Sequence, residues 1–403
     1  MFLFYTTSMK NQILNSNIQK YYWFNFLRGL FFTSGVLVPF FTNWGHISFA
    51  QIQFIQAWFM FWNFVLEIPT GVIADRFGRK TSMILGSLVL SIAALIYGSI
   101  PHFYNFLFSE FLFAVGITLI SGADKAILYD SLKENNQEHL SIKIFNRAWS
   151  IHLLGLLIAA PIGSFMASKL SLNAPMLFMF VPSLLSLFVA WSLKEIKIKD
   201  KSAESLRYWA IFKKGLQFFR TNRYFQIAVI NSTLIHAAGY FVIWLYQPLI
   251  TNIKIPIIYF GYFHAFLVLM EILIAHNYQF FEKIFKNLSN YLKFSAIITI
   301  LGFILVAVHL NLTTVIIFLI LSGGFGLTRR EVIEAHLNKY IPSSERATIV
   351  SSISMFSSLF LVIVNPLIGF LMDKSLKLSL IFISILPLLA LLFFPINEKK
   401  ENL

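Results

Sequence analysis

There is no cysteine in the 403-residue chain, which excludes disulfides and thiolate metal sites. Charge is also scarce: Asp, Glu, Lys and Arg make up 12% of the residues. A soluble domain with so few charges would expose apolar patches over much of its surface. The sequence lacks H-E-x-x-H, G-x-S-x-G, a P-loop, paired aspartates and any H-x-x-x-H spacing. No nucleophile, metal or phosphate cradle is therefore expected, so we anticipate no enzyme, cofactor or bound metal. The opening MFLFYTTSMK has too short an apolar run for a cleavable leader, and Lys10 follows that run instead of preceding it. The first apolar segment is expected to be retained.

What the chain has in abundance is apolar surface, 57% of residues. Crossing roughly 30 Å of hydrocarbon takes about 20 apolar residues of helix. Twelve such stretches are predicted: 21–43, 50–73, 82–100, 103–130, 142–168, 172–193, 224–250, 256–281, 291–310, 312–338, 344–372 and 376–396. The expected fold class is thus an all-α membrane protein with twelve transmembrane helices.

Lys and Arg set its orientation, because basic loops are retained in the cytoplasm. The odd-numbered loops hold only Lys169, Lys254, Lys374 and Lys377. Most of the 32 basic residues lie in the termini and even-numbered loops, which predicts both termini in the cytoplasm. The formal charge of +14 then reflects topology and contact with anionic headgroups. Nucleic acid is not an expected partner, since no single basic patch is formed. The lysine-, asparagine- and phenylalanine-rich composition points to an AT-rich bacterial genome, and hence to the bacterial cytoplasmic (inner) membrane.

The longest polar interruption, 194–223, divides the chain into a six-helix bundle at 1–193 and another at 224–403. Within this linker, Leu206, Trp209, Phe212, Leu216 and Phe219 recur at helical spacing opposite Lys213, Lys214 and Arg220. That pattern predicts a surface helix over 205–220. The two halves echo each other: Glu67-Ile68 recurs as Glu271-Ile272, and Asn146-Arg147-Ala148 as Glu345-Arg346-Ala347, each pair roughly 200 residues apart.

The loop after the second span reads Gly71-Val-Ile-Ala-Asp75-Arg76-Phe-Gly78-Arg79-Lys80. It resembles, without a mismatch, the G-x-x-x-D-R-x-G-R-K signature of the major facilitator superfamily. The resemblance implies two pseudo-symmetric six-helix bundles working by alternating access on a small-molecule substrate in a lipid bilayer; a monomer is expected. It also implies a cytoplasmic latch in which Asp75 and Arg79 form a charge cluster with Asp130, of Tyr129-Asp130-Ser131. Gly71 and Gly78 allow close approach and a sharp turn. Asp75 can face the start of the eleventh helix at Pro342-Ser343-Ser344-Glu345, where free N–H groups favour an anion. For Arg76 and Lys80 the favoured reading is that they anchor the topology. In the second half Gln279, Phe280, Lys283 and Ile284 replace the signature, so gating is expected to be asymmetric.

Charges deep in the bilayer cost about 2.5–3.5 kcal/mol each on insertion scales and mark pathways or paired interior sites. Arg28, Glu67, Asp124 and Lys125 are predicted at one depth, with Arg28 paired to Glu67 or Asp124. Glu271, near mid-membrane, is a candidate proton carrier, and Glu110 lies nearer the outside. Asn25, Trp62, Asn63, Asn231, His236 and Tyr240 are candidates to line a substrate cavity. Arg329, Arg330 and Glu334 are expected at the cytoplasmic mouth, where a solvated helix end is an equal alternative. In the fifth span, Gly155 to Gly163 partly resembles the glycine–proline pattern of antiporters in this superfamily, which favours export. The reading is therefore a secondary transporter exporting a small, amphiphilic or drug-like molecule on the proton gradient. Its alternatives are uptake of a nutrient by proton symport or facilitated diffusion, and a membrane receptor with a transporter fold.

Overall fold

The computed structural model describes residues 2–195, 217, 219–329, 332–333 and 346–396. Every regular element among them is helical. Ten of the helices are long and apolar enough to cross a bilayer, which makes this a multi-pass membrane protein. The expected surface helix at 205–220 falls largely outside the described residues, as do Arg330, Glu334 and the segment 342–345.

The first expected span is divided. Helix α1 (Phe2–Gly29) stops, residues 30–36 form turns, and α2 (Leu37–Pro39) runs on into a π-turn at Phe40–Trp44. Thr33-Ser34-Gly35 is poor helix-forming sequence. Unwound backbone is tolerated at membrane depth only where it is buried in protein or lines a water-filled cavity. Here Thr33 and Ser34 are buried, and the Ser34 N–H donates to the Phe31 carbonyl at 3.1 Å. Within the tenth expected span the described residues form an apolar helix, Leu312–Leu327, with a π-turn at Leu319–Gly324, and most of 328–338 lies outside the described residues.

Contacts divide the chain into two compact units, Met1–Ser34 with Trp58–Trp209, and Gly35–Ala57 with Ala210–Leu403. Helix α3 (Phe49–Phe77) thus begins in the second unit and ends in the first. The rest of the first unit comprises α4 (Arg79–Ser99), α5 (Phe103–Ile120), α6 (Ala123–Glu134), α7 (Ser141–Lys169), α8 (Ala174–Phe178) and α9 (Phe180–Ser192). In it, α4 packs on α5 and α9, and α1 packs on α7. Leu14, Tyr21, Leu128, Leu132 and Ile144 close its core.

The α1–α7 contact is made backbone to backbone. A Cβ at Gly163 would lie 1.7 Å from the Phe32 carbonyl oxygen, one at Gly155 2.6 Å from that of Phe26, and one at Gly29 2.1 Å from that of His152. The glycines of the antiporter-like stretch thus let α7 approach α1. Overpacking typically costs about 1–3 kcal/mol, and no flexible side chain is available here to give way. Gly163→Val is expected to lower the melting temperature in detergent by several degrees or abolish monodisperse protein, as read by fluorescence-detected size exclusion.

The second unit is built from α10 (Arg223–Asn252), α11 (Phe260–His276), α12 (Tyr278–Ile284), α13 (Leu288–Val308), α14 (Leu312–Phe318), α15 (Phe325–Leu327), α16 (Arg346–Lys374) and α17 (Leu376–Phe393). Here α17 packs on α13 and α10, around a core containing Phe225, Leu288, Tyr291, Phe325 and Ile333.

Candidate functional site

The deep charges of the first unit meet where two helices are broken. Between α5 and α6, Ser121 and Gly122 interrupt the fourth span, and Gly122 takes φ +79°, which favours glycine. This puts Asp124 in the first turn of α6, where the helix dipole favours a carboxylate. Its Oδ1 accepts from the Lys125 N–H at 2.7 Å, and its Oδ2 lies 3.6 Å from Arg28 Nη1. Arg28 also lies over the Phe24 ring at 5.7 Å. Asn25 donates to the Tyr21 carbonyl at 2.9 Å, while its own carbonyl is 3.2 Å from His152 Nδ1. The His152 ring stacks on Trp149. Of the two carboxylates considered for Arg28, the structure brings Asp124 to it.

Glu67 stands apart. Its carboxylate has neither an ion pair nor a hydrogen bond among the described residues, and the residue is exposed. On α3 the exposed apolar residues Phe61, Val65 and Val72 form one stripe. At 100° per residue, Gln56, Asn63 and Glu67 fall on the opposite face. Trp62, between the two stripes, packs edge-on against Trp58 and Phe111. Glu110, by contrast, is buried and accepts from the Tyr97 hydroxyl at 2.8 Å. Lys125 is exposed. His236 and Tyr240 lie one turn apart on α10, and Tyr240 packs edge-on against Phe241.

At the signature loop, the Arg79 guanidinium forms an ion pair with Asp130 and donates to the Ala126 carbonyl at 3.0 Å. Gly78 turns the chain with φ +101°. A residue that sequence reasoning missed completes the corner: Glu195 Oε1 accepts from the Arg79 N–H at 2.6 Å and so caps the start of α4. Asn17, 2% exposed, positions Glu195 by donating to the Lys194 carbonyl at 2.9 Å and accepting from its N–H at 3.1 Å. Asp75 lies in the last turn of α3 with Oδ2 buried, and Arg76 is exposed beside Phe77. Gly71 and Lys80 are partly exposed. Glu195→Gln is expected to keep the fold and lower the melting temperature by about one degree, since an N-terminal anion is worth about 0.3–1 kcal/mol. Differential scanning fluorimetry checks this, with the loss fading at high salt.

In the second unit Arg329 is 2% exposed and bonded to three neutral groups, the Leu292 carbonyl, the Ser295 hydroxyl and, at 2.7 Å, the Asn231 carboxamide oxygen. Asn231 spends its amide on the Ala390 and Phe394 carbonyls, at 3.2 and 2.8 Å. Glu271 is half-buried on α11. At the other end of this unit, Asp373 accepts from the Phe49 N–H at 2.7 Å and the Ala50 N–H at 3.0 Å, clamping the start of α3 to the end of α16. Gly369 permits the contact, because a Cβ there would lie 2.7 Å from the Phe49 carbonyl oxygen. Gln247 Oε1 accepts from the Val38 N–H at 2.9 Å and holds α2 to α10.

A family model described as the Major Facilitator Superfamily matches residues 24–329. Multidrug resistance protein 2 of Bacillus subtilis (strain 168) is 33% identical over 103 residues, 25% of this chain and 26% of that protein. An MFS-type transporter of Methanocaldococcus jannaschii is 25% identical over 232 residues, 56% of this chain and 57% of that one. A transporter of Buchnera aphidicola subsp. Schizaphis graminum is 32% identical over 98 residues, and the match spans only 24% of either chain. Among solved structures, the nucleoside transporter NupG superposes with a TM-score of 0.74 at 13% identity, covering 95% of this chain and 98% of that one. A D-xylose-proton symporter superposes with a TM-score of 0.70 at 14% identity, covering 95% and 98%. At such identities these two structures share the fold.

Proposed function

The chain belongs to the Major Facilitator Superfamily, a family of membrane transporters, and from that premise we propose that it exports a small amphiphilic molecule in exchange for protons. The observation that carries the proton coupling is the isolation of Glu67. Arg28 and Arg79 have their carboxylates, and Glu110 has a hydroxyl donor. Glu67 alone of these acids stands unpaired on the polar face of a membrane helix, where a permanent charge is costly. Such a group lowers its cost by taking a proton and is free to release it when its surroundings change. Arg28 and Asp124 flank the unwound part of helix 1, the kind of interruption that often marks substrate sites in transporters.

Export is supported by the likeness to a multidrug resistance protein and by the glycine-rich stretch of α7. The rival, proton-coupled or facilitated uptake, is supported by the nucleoside and xylose transporters of the same fold. Both termini are proposed to be cytoplasmic, in a bacterial inner membrane. The Arg79–Asp130–Glu195 corner is proposed as the fixed part of a cytoplasmic latch that Asp75 completes.

The direction of pH-driven movement separates export from uptake. Compounds are first selected by growth of a deletion strain on toxic agents and on limiting nutrients. Proteoliposomes are then loaded with an acidic lumen. Proton antiport accumulates the compound inside, whereas symport expels it. Expulsion, or indifference to pH, would overturn the antiport reading.

A further inference from the structure

The two units treat equivalent positions differently. Arg28 on the first helix of one unit faces Asp124 on its fourth, and at a spacing of roughly 200 residues Asn231 and Arg329 take those places in the other. In the first unit the half-buried cation has a buried carboxylate. In the second, the guanidinium has only neutral acceptors, and its Nε is buried with no hydrogen-bond partner. No carboxylate ion-pairs with Arg329 among the described residues. A buried cation left this way lacks the counter-charge that normally offsets desolvation.

A small cavity opens beside it, lined by Asn231, Ser289, Lys293, Arg329, Leu391 and Pro395 among others. Lys293 at its rim is exposed and brings a second positive charge. The surroundings of that rim are apolar. Ile297 and Leu301 follow Lys293 at four-residue steps on α13 and are 45% and 52% exposed, while Leu392 and Phe393 on α17 are 61% and 67% exposed. Two cations at the end of an exposed apolar stripe match an amphiphile with an anionic head and hydrocarbon tails. A free aqueous anion would have no use for the stripe.

We infer that the mouth of the cavity between α10, α13 and α17 is a phosphate-group site, where the headgroup of an anionic phospholipid sits with its phosphate against the exposed Lys293 and facing the buried Arg329 behind it. The site lies wholly within the second unit. It needs no assumption about substrate or direction of transport, so its test and that of the antiport reading fail independently. Bound there, the lipid supplies the negative charge that Asp124 supplies in the first unit.

The test is a titration of the full-length protein in a non-ionic detergent, read by native mass spectrometry and thermal unfolding. Three probes are used: phosphatidylglycerol, diacylglycerol with the same tails, and inorganic phosphate. Phosphatidylglycerol is expected to bind and stabilise, and diacylglycerol to do neither. Arg329→Gln should weaken phosphatidylglycerol binding by about tenfold or more, the worth of one charge-assisted hydrogen bond. Lys293→Gln, at an exposed position that does not threaten folding, should weaken it about threefold, as suits a rim charge. Equal binding of the two lipids, or Lys293→Gln and Arg329→Gln proteins indistinguishable from the parent, would overturn the site and leave Arg329 as a strut between helices. Should Arg329→Gln fail to fold, the lipid comparison and Lys293→Gln decide by themselves. Stabilisation by inorganic phosphate without any preference for phosphatidylglycerol would overturn the lipid as its source.

Discussion

Glu67→Gln is expected to abolish pH-driven accumulation while leaving substrate exchange across the membrane intact. A one-unit pH gradient is worth about 1.4 kcal/mol per proton, so one coupled proton supports at most about tenfold accumulation per pH unit. Glutamine keeps the size and hydrogen-bonding capacity of the protonated acid but carries no titratable proton. The variant should therefore hold no gradient at any pH and still equilibrate labelled substrate against unlabelled. This pairing distinguishes coupling from folding, because a misfolded carrier loses both activities. If Glu67→Gln accumulates substrate as the parent does, the proton passes through another group, with Glu271 on the corresponding helix of the second unit the next to examine.

Asp373→Asn tests the clamp between the start of α3 and the end of α16. The parent carboxylate accepts from two consecutive backbone N–H groups at the start of α3, where it also neutralises the helix dipole. An asparagine oxygen replaces at most part of this and brings no charge. Losing a capping interaction typically costs about 1 kcal/mol, which changes a two-state population by a factor of about five. The expected result is a shift toward the conformation in which the start of α3 leaves α16, seen as a longer distance between spin labels on those two elements. Asp373→Glu should restore much of the parent distribution. An unchanged distribution in Asp373→Asn would reduce the clamp to a local cap without a part in the cycle.

How much of this was legible in the sequence depended on the kind of signal each residue leaves. The apolar runs fixed the helix count closely because twenty-residue segments dominate any local average. The signature loop placed Arg79 and Asp130 in one cluster, and their ion pair is present. Arg28 and Asp124 could be brought to one depth by counting along helices, although counting did not choose between Asp124 and Glu67. The break at 30–36 was overlooked because Leu30-Phe31-Phe32 and Val36-Leu37-Val38 keep hydropathy high on both sides of Thr33-Ser34-Gly35. Glu195 and Asp373 act on helix starts far away in sequence. A single carboxylate at a span's end has no periodic signature, so only the tertiary structure shows what it caps. Depth along a helix says nothing of the direction a side chain faces, so the burial of Arg329 was not legible in the sequence. The structure buries it against α10 and α13.

Alternating access itself can be tested directly because the chain has no native cysteine. A single cysteine in place of Asn63, on the polar face of α3 with Glu67, should react with a membrane-impermeant maleimide added from either side. In Asp373→Asn the labelling rate should rise from one side and fall from the other, the ratio of the two rates changing by about fivefold. Labelling from one side only, at rates that Asp373→Asn leaves unchanged, would contradict a face exposed alternately to the two aqueous compartments.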